Sequence, residues 1–264
     1  MSAPVFYLAD PDLLQVQVDQ EIPLAGTEGR HAVSVLRLNI GEAVELVDGL
    51  GLRVQGTVVS VSGKENLRVR VGKVLIESTA PLHITVVQAL PKGEHGELAI
   101  DLLTQVGVDV IVPWAAGRSI AKWAPDRIDK ARSKWQAAVT AAAKQARRAR
   151  WPVLGELATT AQVAELIAGA SSGAGVAVVL HEEAITPLLE VPIADREGAS
   201  EVVLIVGPEG GISEDERAIF RAAGAYEARL GPSVLRSSAA GAVATAVLSA
   251  TRNWGSPAVG GSSL

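Results

Sequence analysis

Gly207-Pro208-Glu209-Gly210-Gly211 stands where an apolar run, Val202–Val206, gives way to the polar stretch Ser213-Glu214-Asp215-Glu216. Paired glycines can adopt positive φ and let a ligand approach the backbone closely. The loop lacks Gly-Lys-Ser/Thr and does not match GxGxxG, so neither phosphate-cradling pattern applies. Acidic residues just beyond it disfavour a bound phosphate and favour a neutral or cationic ligand. Two other segments also close apolar runs: Leu180-His181-Glu182 and Leu230-Gly231-Pro232-Ser233-Val234-Leu235-Arg236. His181 offers an imidazole, either as a general base or as a residue that shapes its loop. Arg236 offers a guanidinium that stays protonated, so it can stabilise an anion but cannot remove a proton.

The elements that must hold these residues are legible in outline. Val202–Val206 reads as a buried parallel strand. Ser213 reads as an N-cap, with Glu216 completing a capping box for a helix stopped near Gly224. From His83 onward strands and helices alternate: Ile84–Leu90, a helix ended by Gly107, Val108–Val112, Val176–Leu180 and Ala225–Leu230. That alternation predicts an α/β domain with a parallel sheet, whose ligands bind outside the carboxyl ends of the strands. Ser237 opens an alanine-rich helix reaching about Trp254, and another helix is expected from about Pro125 to Ala149. Residues 1–73 are instead β-rich, with runs Ala43–Val47, Leu52–Val59 and Leu67–Val71 separated by hairpin signals, and a short helix over Glu28–Leu38. The expected organisation is a β-barrel domain at 1–73, a linker at 74–82, an α/β domain at 83–254 and a flexible Gly/Ser-rich tail at 255–264.

Composition limits the chemistry. The chain has no cysteine, which removes disulfides, cysteine-based zinc sites and thiolate nucleophiles together. The four histidines have no metal-ligand spacing, so no metal is expected. No apolar run is long enough to span a membrane and the N-terminus lacks a secretory pattern, so a cytoplasmic location is expected. Net charge is −5, but residues 118–151 hold ten Lys or Arg against two acids, a balance of +8. The fourteen basic and twenty-seven acidic residues elsewhere leave −13. A basic segment on an acidic chain is a plausible footprint for RNA. Its tryptophans, Trp123, Trp135 and Trp151, suit either base stacking or packing.

Together the three loops resemble those of SPOUT-type methyltransferases, and most closely the ribosomal small-subunit uridine-N3 methyltransferase family (RsmE-like). Leu90-Pro91-Lys92-Gly93, Gly107-Val108 and Arg118-Ser119 are similar to further family elements, as are His31 to Arg37 with Gly41 and Asp48-Gly49. The resemblance implies an N-terminal PUA-like domain, a SPOUT domain with a trefoil knot, and a homodimer. It also implies an S-adenosyl-L-methionine pocket formed by Leu180, His181, Glu182, Gly207, Pro208, Glu209, Gly210, Gly211, Leu230, Gly231, Val234 and Leu235. The implied substrate is 16S rRNA of the small ribosomal subunit, gripped by Arg30, Arg37, Arg118, Lys144, Arg147 and Arg148. Arg236 is the catalytic candidate, stabilising the uracil N3 anion. Two departures stand out: Lys144 replaces the family's glutamate, and Ala239 replaces a polar residue. Methylation of another base atom or a ribose 2′-hydroxyl, and a non-catalytic RNA-binding module, are the rival readings.

Overall fold

The computed structural model describes residues 3–8, 15–193 and 200–254, which fall into two compact units. The expected tail at 255–264 lies outside the described residues. One unit comprises the described residues up to Ser78 together with Ala143–Trp151, and the other Thr79–Ala142 together with the described residues from Pro152 to Trp254.

The first unit is a curled sheet of β1 (Val5–Tyr7), β2 (Glu21–Leu24), β3 (Ala43–Val47), β4 (Leu52–Ser62) and β5 (Asn66–Ile76), in the order β1-β3-β4-β5-β2. Register shifts at Gln55/Gly56 and Val58/Ser60 bend the long β4–β5 pair, as bulges do. Phe6, Leu24, Leu46, Val54 and Val69 fill its core. Where one helix is expected over 28–38, there are two pieces: α1 (Gly26–Arg30) and a π-helical turn, His31–Val35.

Residues 143–151 belong to this unit, although they lie within the stretch read as the second domain. Lys144 Nζ meets the Glu28 carboxylate at 2.7 Å, and the Trp151 ring packs on Tyr7 with centroids 4.4 Å apart. The Trp151 N–H donates to the Gly49 carbonyl at 2.9 Å, and Arg53 donates to the Arg147 carbonyl at 2.7 Å.

The second unit runs β6 (His83–Ala89), α2 (His95–Val106), β7 (Val110–Trp114), α3 (Ile128–Gln145, its last residues in the first unit), β8 (Val153–Leu154), α4 (Thr160–Ser172), β9 (Gly175–Leu180), β10 (Glu201–Val206), α5 (Glu214–Ala222), β11 (Tyr226–Ala228) and α6 (Ser237–Arg252). The sheet order is β11-β9-β10-β6-β7-β8, and every pairing is parallel. Strand alternation divides the core. Val86 and Leu204 pack on one side with Leu103 and Val139, while Val87 and Ile205 pack on the other with Trp114, Ile167 and Phe220. Trp135 is a core residue, its ring edge-to-face with Trp123 at 5.0 Å.

The helix expected to reach Ala149 stops at Gln145. Arg147 takes φ +55°, and the Arg148 N–H reaches back to the Ala143 carbonyl at 2.9 Å. That is a Schellman-type closure with arginine in the left-handed position usually given to glycine.

Candidate active site

Parallel pairing places the ends of β9 and β10 side by side, since Val206 lies opposite Leu180 and Ala228 of β11 lies on Leu180's other side. The three loops singled out above therefore leave the same edge of the sheet. They enclose a cavity of about 280 Å³, near the lower end of the small-molecule range. Its wall takes Leu180, His181 and Glu182 from the first loop, Gly207, Pro208, Glu209 and Gly211 from the second, and Val234, Leu235 and Arg236 from the third. Leu230 and Gly231 line a smaller adjoining recess of about 70 Å³. Gly210 does not line the cavity. Its carbonyl accepts from Arg118 Nη1 at 3.4 Å instead. Sequence reasoning missed Val206, Ile212, Ser237 and Ala240, which complete the wall. The apolar run and the helix start had marked Val206 and Ser237 as structural, and nothing local marked them as lining.

The wall is held from behind. Ser213 caps α5 and Glu216 closes the box, as the spacing requires. The Ser237 hydroxyl donates to the Gly207 carbonyl at 2.6 Å and accepts from the buried Gln88 amide at 3.1 Å. The Lys92 N–H donates to both Glu209 carboxylate oxygens, at 3.2 and 3.3 Å, tying the glycine loop to the loop after β6. His181 is buried, and its Nδ1 accepts from the Glu183 N–H at 3.2 Å. That bond makes the imidazole a tie within the loop after β9.

Arg236 is exposed at the N-cap of α6. Among the described residues it has no ion-pair partner.

The predicted RNA contacts separate into distinct groups. In the first unit, Arg30 and Arg37 line a groove with Ser34 and with Lys64 of the β4–β5 turn, a cation that sequence reasoning missed. Arg37 holds φ +55°. Also in that unit, Lys144 is half-buried in its ion pair with Glu28, so its charge is already answered. Arg147 is exposed, and Arg148 is partly buried with its carbonyl accepting from Trp151 Nε1 at 2.9 Å. In the second unit, Arg118 is exposed and lies over the glycine loop.

Charge also couples stability to pH. Burial pushes the Glu216 carboxyl up, but hydrogen bonds from the Gly117 N–H, the Ser213 hydroxyl and N–H and the Thr160 hydroxyl outweigh it and hold it below the ordinary glutamate range. Hydrogen bonds from Arg217 and then Arg221 likewise hold Glu227 down against burial. A carboxyl whose folded value is depressed adds stability above its unfolded value and loses it as pH falls through the folded one. Denaturant midpoints are thus expected to be flat through neutrality and to fall below the ordinary glutamate range. Glu216→Gln should remove part of that acid slope, and an unchanged slope would exclude Glu216 as a contributor.

Family models match most of the described chain. An RNA methyltransferase domain covers residues 78–249, and an RNA methyltransferase PUA domain covers residues 24–72. A Mycobacterium bovis protein named ribosomal RNA small subunit methyltransferase E is 42% identical over 257 residues, spanning 96% of this chain and 94% of its own. The chain belongs to the ribosomal RNA small subunit methyltransferase E family. Solved structures agree on the fold. A Legionella pneumophila protein described as a candidate methyltransferase, with the cofactor SAM bound, superposes with a TM-score of 0.80 at 27% identity, covering 95% of this chain and 98% of its own. A ribosomal RNA small subunit methyltransferase E from Neisseria gonorrhoeae, bound to S-adenosyl methionine, gives 0.82 at 24% identity, covering 97% and 100%. The fold is therefore the PUA-like and SPOUT α/β pair that the family shares. Among the described residues no cluster of His, Asp or Glu could hold a metal ion, and no helix is long and apolar enough to cross a membrane.

Proposed function

We propose that the chain transfers the methyl group of S-adenosyl-L-methionine to N3 of a uridine in 16S rRNA of the small ribosomal subunit. The observation that carries this reading is the convergence of three loops on one cavity whose rim bears Arg236, without an ion-pair partner among the described residues, in a member of this family. The donor is a sulfonium cation, which suits a wall bearing Glu182 and Glu209 against the one guanidinium of Arg236. Its thioether leaves as the N3 lone pair forms the new N–C bond, so the protein need supply only placement and charge. N3 becomes nucleophilic when its proton passes to water, and the resulting imide anion is the species Arg236 would stabilise. With no cysteine in the chain, no thiolate adduct at the pyrimidine ring is available.

RNA phosphates would be met by Arg30, Arg37 and Lys64, with Arg147 and Arg148, on the first unit, and by Arg118 on the second. Lys144, already paired with Glu28, drops out of that set.

The test is transfer from S-adenosyl-L-methionine to small subunits that lack the modification, with rRNA nucleosides read by mass spectrometry. Formation of 3-methyluridine is the expected result. A different methylated nucleoside would replace the specificity, and RNA binding without methylation would leave only a binding module.

A further inference from the structure

Glu216 is only 6% exposed, yet it does not line the donor cavity. Its Oε2 closes the capping box, accepting from the Ser213 N–H at 3.1 Å and the Ser213 hydroxyl at 2.7 Å. A capping box needs no more than that. Its Oε1 does something else: it accepts from the Gly117 N–H at 2.8 Å and from the Thr160 hydroxyl at 3.2 Å. Thr160 in turn accepts from Trp114 Nε1 at 3.3 Å. One carboxylate therefore joins the start of α5, the start of α4 and the loop that follows β7. Hydrogen bonds to a buried carboxylate are short and directional, so this junction fixes the loop after β7 relative to α5.

The residue after Gly117 is Arg118, and it rests on the glycine loop. Besides the bond from its Nη1 to the Gly210 carbonyl, a Cβ placed on Gly210 would stand 3.1 Å from the Arg118 carbonyl oxygen and 3.3 Å from its Cβ. Gly207, Pro208, Glu209 and Gly211 face the cavity from the same turn. The loop thus has an inner surface for the donor and an outer surface under Arg118.

We propose that Glu216 is a positioning residue that registers Arg118 against the outside of the donor loop, so that donor occupancy and RNA affinity are coupled through this turn. The inference rests on the reading of Arg118 as an RNA contact. A donor that fixes the glycine loop fixes the shelf on which Arg118 sits, and by linkage bound RNA must favour the donor to the same degree.

The experiment measures binding rather than turnover. Affinity for small-subunit rRNA is titrated with and without S-adenosyl-L-methionine, for the unaltered chain, Arg118→Ala, Glu216→Gln and the double variant. The donor is expected to tighten RNA binding about fivefold in the unaltered chain. That gain should vanish in both single variants, and the double variant should be no worse than Arg118→Ala alone, because two residues acting through one path are not additive. Glu216→Gln keeps the shape but turns one acceptor into a donor facing donors. Thr160→Val removes the hydroxyl's two hydrogen bonds, to Glu216 and from Trp114, and leaves the Gly117 bond, so it should give a smaller loss of the same kind even if Glu216→Gln does not fold. Donor-dependent tightening that persists in Thr160→Val and Glu216→Gln, additive losses, or no donor dependence in the unaltered chain would each overturn the proposal. Failure of methylation with this cycle intact would instead count against the proposed reaction.

Discussion

Arg236→Ala is expected to bind S-adenosyl-L-methionine within about threefold of the unaltered chain and to lose about 10²- to 10³-fold in turnover, the range for removing one charge-stabilising group from a site of this kind. The cavity wall explains the first half. Arg236 is exposed at the rim, while the surfaces around it are supplied by Gly207, Pro208, Val234 and Leu235. Helix polarity explains the second. A guanidinium at a helix N-cap sits at the positive end of the dipole, where a cation costs roughly 0.3–1 kcal/mol rather than contributing it. With no ion-pair partner among the described residues, that cost is not recovered within the fold. Both fields point towards an anion placed at the helix end. Arg236→Ala should therefore be no less stable than the unaltered chain, and Arg236→Lys should keep part of the rate through its charge alone. Calorimetric titration with the donor, beside single-turnover kinetics, separates the two halves. A parallel collapse of donor affinity would show that Arg236 is part of the donor site instead.

Gly207→Ala should fail in the opposite way. A Cβ there would lie 2.6 Å from Cγ1 of Ile212. Ile212 is 4% exposed and packed in the cluster with Val203, Ile205 and Phe220, so it has little room to retreat. The Gly207 carbonyl is also fixed, by the Ser237 hydroxyl. The strain of such an insertion, about 1–3 kcal/mol, must be taken up by the turn itself. Donor affinity is expected to fall about tenfold or more while the rate at saturating donor largely survives. The same calorimetric and kinetic pair reads this result, and unaltered donor affinity would remove the turn from the donor wall.

What was legible in the sequence is what neighbours decide. β10, the Ser213–Glu216 box and the stop at Gly107, which takes φ +107°, depend on residues a few places apart. The cavity's backbone could be placed because three apolar runs each ended in a polar loop. What stayed hidden depends on distant partners. Lys144 looked like one more phosphate contact in a basic run, but its partner is Glu28, 116 positions away. Glu216 looked finished as a cap, and its second oxygen reaches Gly117, 99 positions away. No periodicity records such pairings. The insertion of β10 between β9 and β6 is invisible for the same reason, since neither neighbour precedes it by a short turn.

The strap at Ala143–Trp151 bears on the order in which the molecule can be built. The first unit leaves the chain at Ser78 but is completed by residues that are synthesised only after β6, α2, β7 and most of α3. Until then Glu28 lacks its lysine, Tyr7 lacks the indole it packs against, and the Gly49 carbonyl lacks its donor. A nascent N-terminal piece therefore emerges with its five strands but without the segment that packs on them. Its maturation is tied to the translation of its neighbour, and a fragment cut at Ser78 would carry an open seam where the strap belongs.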